Sequence, residues 1–264
     1  MKISLSIFGL LVVLSSTARA QSPVTLTIAT DTRGYEVPPD FAGVSIFTGT
    51  QVHDHRNIPG NLFSGSNTQL INLFKNTGLH HLRLGATGSP GSGIENLHHE
   101  DIDALFAFAQ ATDLHVIYSL HYAGGPETAK YIWDHYQPWL DCFAFDNEPD
   151  GRLNENTGHK DYFGTWMDFA QSITNAVPGA RLAGPDAAGG TLSRRFVRKE
   201  KSVKNLALIT QHFYFGGNPR KRGIDTPLAI KNMLSRDWSS VKYPNLYRTR
   251  TRGEEKASVS IDRI

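Results

Sequence analysis

Hydrophobic and polar positions alternate along most of the chain in two periods, and the period switches back and forth. Val24-Thr25-Leu26-Thr27-Ile28 alternates residue by residue and predicts a half-exposed strand, followed by the turn-rich Asp31-Thr32-Arg33-Gly34. Phe41 to Ile46 predicts a short buried strand. A helix is expected over Asn67 to Gly78, with Leu70, Ile71, Leu73 and Phe74 on its apolar side and Gly78 as its stop. Leu79 to Gly85 then reads as a strand. His99 to Asp113 places Ile102, Leu105, Phe106 and Ala109 at helical spacing, and Leu114 to Tyr122 returns to strand. Pro126 and Glu127 open another helix, whose stripe is Ala129, Ile132, Trp133, Tyr136 and Leu140. After a strand from Asp141 comes a helix carrying Phe163, Trp166, Met167, Ala170, Ile173 and Val177, then strands at Arg181 to Gly184 and Leu206 to Phe215. Leu228 to Trp238 predicts a sixth helix, and a seventh strand is expected near Tyr243 to Thr251. Strands alternating with helices of ten to fifteen residues predict βαβ units and a parallel sheet. The opening strand at 24–28 stands outside that alternation.

The most informative stretch is Asp141 to Asp150. Phe143 and Phe145 alternate with Cys142, Ala144, Asp146 and Glu148. Strand side chains point to opposite faces in turn, so the bulky pair is expected under a helix layer and the small and acidic residues on the inner side. Pro149 cannot continue a hydrogen-bond ladder and ends the strand. An acid is thereby left at the carboxyl end of a parallel strand, where α/β barrels carry their chemistry.

Composition narrows the setting. Lys2, the apolar run Ile3 to Leu14 and Ala18-Arg19-Ala20 predict a signal peptide over residues 1–20, and hence an exported protein after cleavage near Ala20. That apolar run is too short to span a membrane. The remaining 264 − 20 = 244 residues suffice for a full core. A net charge of +2 announces no nucleic-acid partner. Cys142 is the only cysteine, which excludes an internal disulfide and predicts a buried, inert thiol.

Phe-Asp-Asn-Glu-Pro-Asp at 145–150 resembles the acid/base motif of clan A glycoside hydrolases, and with its flanks is most similar to glycoside hydrolase family 79, the β-glucuronidase and heparanase-like group. Counted from Phe41, the strand carrying it is the fourth, the ordinal at which clan A barrels carry that acid. The resemblance implies a (β/α)8 barrel over residues 35–250 of which about six strands are present, and a segment at 21–34 belonging to a β-sandwich; the charged, apolar-poor composition after Thr249 predicts a disordered or out-of-frame tail at 251–264. A six-stranded doubly wound sheet with an ordinary tail is the alternative architecture. It further implies retaining hydrolysis of β-linked glycosides in an oligo- or polysaccharide. Glucuronides are favoured on the resemblance alone, and no cofactor is implied. Glu148 takes the acid/base role, which requires its carboxyl to be protonated in one step and ionised in the next. Asn147 matches the residue that holds the sugar 2-hydroxyl. The ending Gln211-His212-Phe213-Tyr214 matches a His-x-Tyr-like pattern whose tyrosine contacts the nucleophile.

The family's nucleophile, a Glu ending strand seven, has no match. Glu254 and Glu255 lie near the place but in a solvated Arg-Gly-Glu-Glu-Lys setting. A chain that has lost it by truncation is expected to show little retaining activity, and a non-catalytic carbohydrate-binding fragment or a clan A glycosidase of another sugar specificity remain open. The sequence leaves the oligomeric state undecided. Further candidates for the site are Arg83 on the second strand, either bridging the barrel interior or near the carboxylates, and His121, Tyr122 and Asp186 as sugar contacts. Trp133 and Trp166 sit in helix stripes and read as core. His53-Asp54-His55 and His98-His99 lack a third ligand at a diagnostic spacing, so no metal site is expected. Gly85 to Gly91 lacks the lysine and spacing of a phosphate loop. The basic run from Arg194 to Lys204 reads as a solvated helix or loop face.

Overall fold

In the computed structural model, the residues described are 40–47, 61–85, 97–121, 124–145, 147–149, 159–188, 190–200, 203, 205–212, 227–228 and 231. All belong to one compact unit, Pro38–Ile264; the other, Met1–Val37, lies outside them. The expected signal peptide and the strand at 24–28 therefore fall outside the described residues, as do the expected seventh strand and the tail.

The described residues form β1 (Gly43–Phe47), α1 (Thr68–Lys75), β2 (His81–Gly85), α2 (His99–Thr112), β3 (His115–Leu120), α3 (Gly125–Tyr136), β4 (Leu140–Phe145), α4 (His159–Ala176), β5 (Leu182–Ala187), α5 (Gly190–Glu200) and β6 (Leu206–Gln211). The six strands are parallel and lie in the order β1-β2-β3-β4-β5-β6. A doubly wound sheet reverses direction at a switch point. None occurs here, so the six described strands have the order of a barrel. Of the helix or loop face that the sequence allowed for the basic run, its first part, to Glu200, lies in helix α5, held by the i, i+4 pair Leu192 and Phe196, both buried.

Helix ends follow local chemistry. The Asn67 side chain accepts the Leu70 N–H at 3.2 Å and starts α1. The Asp101 carboxylate accepts the His98 N–H at 3.1 Å at the start of α2, and Asp113, at φ 60°, closes that helix in the left-handed conformation.

The two sheet faces divide by side-chain size. Leu82, Leu84, Val116, Tyr118, Leu120, Phe143, Phe145 and Leu182 face the helices and join one large core with residues from α1 to α5. The Phe145 ring stacks on Phe169 of α4 with centroids 4.2 Å apart. Trp166 is buried among these residues, as its helix stripe predicts, and Trp133 packs partly buried against them. On the opposite face Ile117, Cys142, Ala144, Ala183 and Leu208 form a smaller, separate cluster. Register aligns Ser45 with Arg83, Arg83 with Ile117 and Ile117 with Cys142 on this inner side.

The sheet curls toward that inner side. Arg83 on β2 and Asp186 on β5 are three strand spacings apart, about 14 Å in a flat sheet. Their side chains nevertheless meet at 2.8 Å.

Candidate active site

The carboxyl ends of β2, β4, β5 and β6 bring five polar side chains together. Glu148 follows β4 with φ 50°. A residue before proline is ordinarily extended, so this left-handed backbone is strained. A cross-strand bond holds it: the Glu148 N–H donates to the Asp186 carbonyl at 2.8 Å. The Glu148 side chain is about a third exposed, and its Oε1 lies 2.8 Å from Nδ1 of His212, which follows β6. The His212 N–H in turn donates to the Ala187 carbonyl at 2.8 Å, tying β6 to β5 beside the site.

Arg83 forms the second half of the cluster. Its Nη1 donates to Ser45 Oγ at 3.0 Å, and its Nη2 to Asn147 Oδ1 at 3.1 Å and to Asp186 Oδ2 at 2.8 Å. The guanidinium of Arg83 and the carboxylate of Asp186 are both buried. Gly85 is required beside them, because a Cβ there would lie 2.7 Å from Arg83 Nη1. Asp186 reaches inward because β5 carries one extra residue against β6: Gly184 pairs with Ile209, but Ala187 pairs with Gln211. Asp186 has φ 51°, and its N–H donates to Thr210 Oγ1 at 2.9 Å.

The structure thus brings Glu148, Asn147, His212 and Arg83 together, and Arg83 both bridges the interior and adjoins the Asn147–Glu148 pair. Asp186, expected as a sugar contact, is instead sealed at 1% exposure and bound to Arg83. His121 follows β3 half-buried. Tyr122, Tyr214, Glu254 and Glu255 lie outside the described residues. His99 stacks on Tyr131 at 3.7 Å, and among the described residues no three His, Cys, Asp or Glu side chains group as metal ligands. No helix among the described residues is long and apolar enough to cross a membrane.

No protein-family model matches the chain, and no curated protein matches its sequence. Solved structures do match the fold. A family 51 α-L-arabinofuranosidase from Bifidobacterium longum superposes with a TM-score of 0.56 at 15% identity, over 88% of this chain and 57% of that one. A GH39 β-xylosidase from Caulobacter crescentus gives 0.54 at 15% identity, over 87% and 54%. The six described strands and their helices have the fold of part of the (β/α)8 barrel of these two structures. This chain spans little more than half the length of either enzyme.

Proposed function

We propose that the protein is a retaining glycoside hydrolase of the clan A type, exported and acting on a β-linked glycoside, with Glu148 as its acid/base. The observation that carries this reading is the 2.8 Å bond between Glu148 Oε1 and His212 Nδ1. It places a partly exposed carboxyl, anchored on one oxygen, at the end of the fourth strand of a barrel sheet. In the first step Glu148 gives its proton to the glycosidic oxygen while a nucleophile forms the glycosyl-enzyme. In the second it takes a proton from the water that releases the sugar. With its Nδ1–H donating to Oε1, His212 leaves the carboxyl proton on the other oxygen for transfer and holds Glu148 in place through both steps. Asn147 binds the sugar 2-hydroxyl, and Tyr214, Tyr122 and His121 complete the sugar contacts; no residue is assigned as the nucleophile, for which the sequence has no match.

The test is an assay of the full chain and of Glu148→Gln on aryl β-glucuronide, β-xyloside, β-glucoside and α-L-arabinofuranoside. Glucuronide comes first because of the family 79 resemblance; the xyloside and arabinofuranoside are the substrates named for the two solved enzymes. Hydrolysis by the wild type that falls about 100-fold or more in the glutamine variant supports the reading, a general acid being worth that much. Turnover unchanged in the variant would remove Glu148 from the reaction. Saturable sugar binding without hydrolysis would make the protein a carbohydrate-binding module.

A further inference from the structure

One charged side chain in the cluster has no part in the proposed reaction. Asp186 is too buried to meet a sugar, and its Oδ2 is committed to Arg83. It nonetheless reaches both active-site residues that follow β4, Asn147 through Arg83 and Glu148 through its own backbone carbonyl. We propose that Asp186 is a positioning residue that sets the orientation of Asn147 through Arg83 and the placement of Glu148 through its own carbonyl. What this does to a sugar rests on the glycosidase reading; the positioning itself does not.

Arg83 has only donors, so the atom of Asn147 that faces it at 3.1 Å is the amide oxygen. The Nδ2 donor is thereby turned to the other side, the orientation needed to hold a hydroxyl. Arg83 Nη2 divides between that oxygen and Asp186 Oδ2. The carboxylate fixes the guanidinium, and the guanidinium fixes the amide. The contact is not a two-bond fork, because Arg83 Nε and Asp186 Oδ1 are both buried without a hydrogen-bond partner among the described residues. The remaining contacts of the guanidinium go to Ser45 and Asn147 instead of to the acid alone. On the backbone side, Glu148 and Asp186 are both left-handed, and the bond from Glu148 N–H to the Asp186 carbonyl joins the two strained positions. A bulge in β5 and a positive φ at an aspartate are therefore spent on one arrangement at the β4 terminus.

The test is Asp186→Asn in the full chain, read by NMR of the Asn147 side-chain amide and by kinetics on any glycoside that the wild type hydrolyses. Asparagine keeps the shape and removes the charge that holds Arg83. The Asn147 amide resonances are expected to shift and broaden, and kcat to fall about 100-fold with KM little changed, the scale of a displaced active-site group. Unmoved Asn147 resonances overturn the proposal whatever the activity. Azide restoring turnover to Asp186→Ala would also overturn it, by making Asp186 the nucleophile. Shifted resonances with a wild type that hydrolyses nothing would sink the glycosidase reading and leave the positioning role intact. Should Asp186→Asn not fold, the double variant Arg83→Gln with Asp186→Asn removes both charges together. The same amide signals must then shift, and their constancy would refute the idea.

Discussion

A methyl group added at Gly85 would sit 2.7 Å from Arg83 Nη1, inside any allowed contact. The guanidinium cannot retreat without leaving Ser45, Asn147 or Asp186. Gly85→Ala is therefore expected to destabilise the fold by about 1–3 kcal/mol, the usual penalty of overpacking, and to disturb the amide of Asn147 as Asp186→Asn does. Urea unfolding measures the first effect and NMR the second. The same residues show where sequence reading stops. Glu148 was legible because it ends an alternating strand, and Asn147 and His212 through the family resemblance. Arg83 was legible only as two options. Asp186 was placed at the mouth but given the wrong partner, since its burial depends on an arginine 103 positions away and on a bulge with no local signature.

The helices that cover the sheet carry a titratable feature of their own. Tyr131 and Tyr136 of α3 both donate to Asp103 Oδ1 of α2, at 2.7 and 2.6 Å. The hydrogen bond to Asp103 raises the pKa of Tyr131 above the ordinary tyrosine value, and burial foremost, then the same acceptor, raises that of Tyr136. Burial likewise pushes Tyr118 up, with the Asp101 charge adding to it. A raised folded-state pKa means that the native protein holds these protons more tightly than the unfolded chain. Their contribution is complete below the unfolded tyrosine value of about 10 and is lost as pH rises through the higher folded values. The melting temperature should accordingly hold steady up to about pH 10 and drop steeply above it. In Asp103→Asn that alkaline decline should be shallower, and an unchanged decline would rule out the α2–α3 pair as its source. Helical period made α2 and α3 readable in advance. It left α5 open between helix and loop, because Arg194, Arg195 and Arg198 leave few apolar positions from which to read a period.

At the scale of the molecule, side-chain size divides the two faces of the sheet. Large residues face the helices, and Cys142, Ala144 and Ala183 face the interior. The alternation of Phe143 and Phe145 with Cys142 and Ala144 already stated this division for β4, and the order of the strands carried it to the rest. What alternation could not supply was curvature, which becomes visible only when Arg83 and Asp186 meet across three strand spacings. The sole sulfhydryl, Cys142, lies on the concave side at 0% exposure. It is a reporter already installed at the centre of the sheet, with no second thiol to confuse its signal. A chromogenic thiol reagent should react with it only when β4 parts from its neighbours, so the labelling rate is a clock for that event. If the six strands open as one, labelling should slow by the same factor, within the 10³–10⁸ range of small-domain stabilities, that urea unfolding gives for the whole protein. Faster labelling would mean that the inner face breathes on its own, separately from global unfolding.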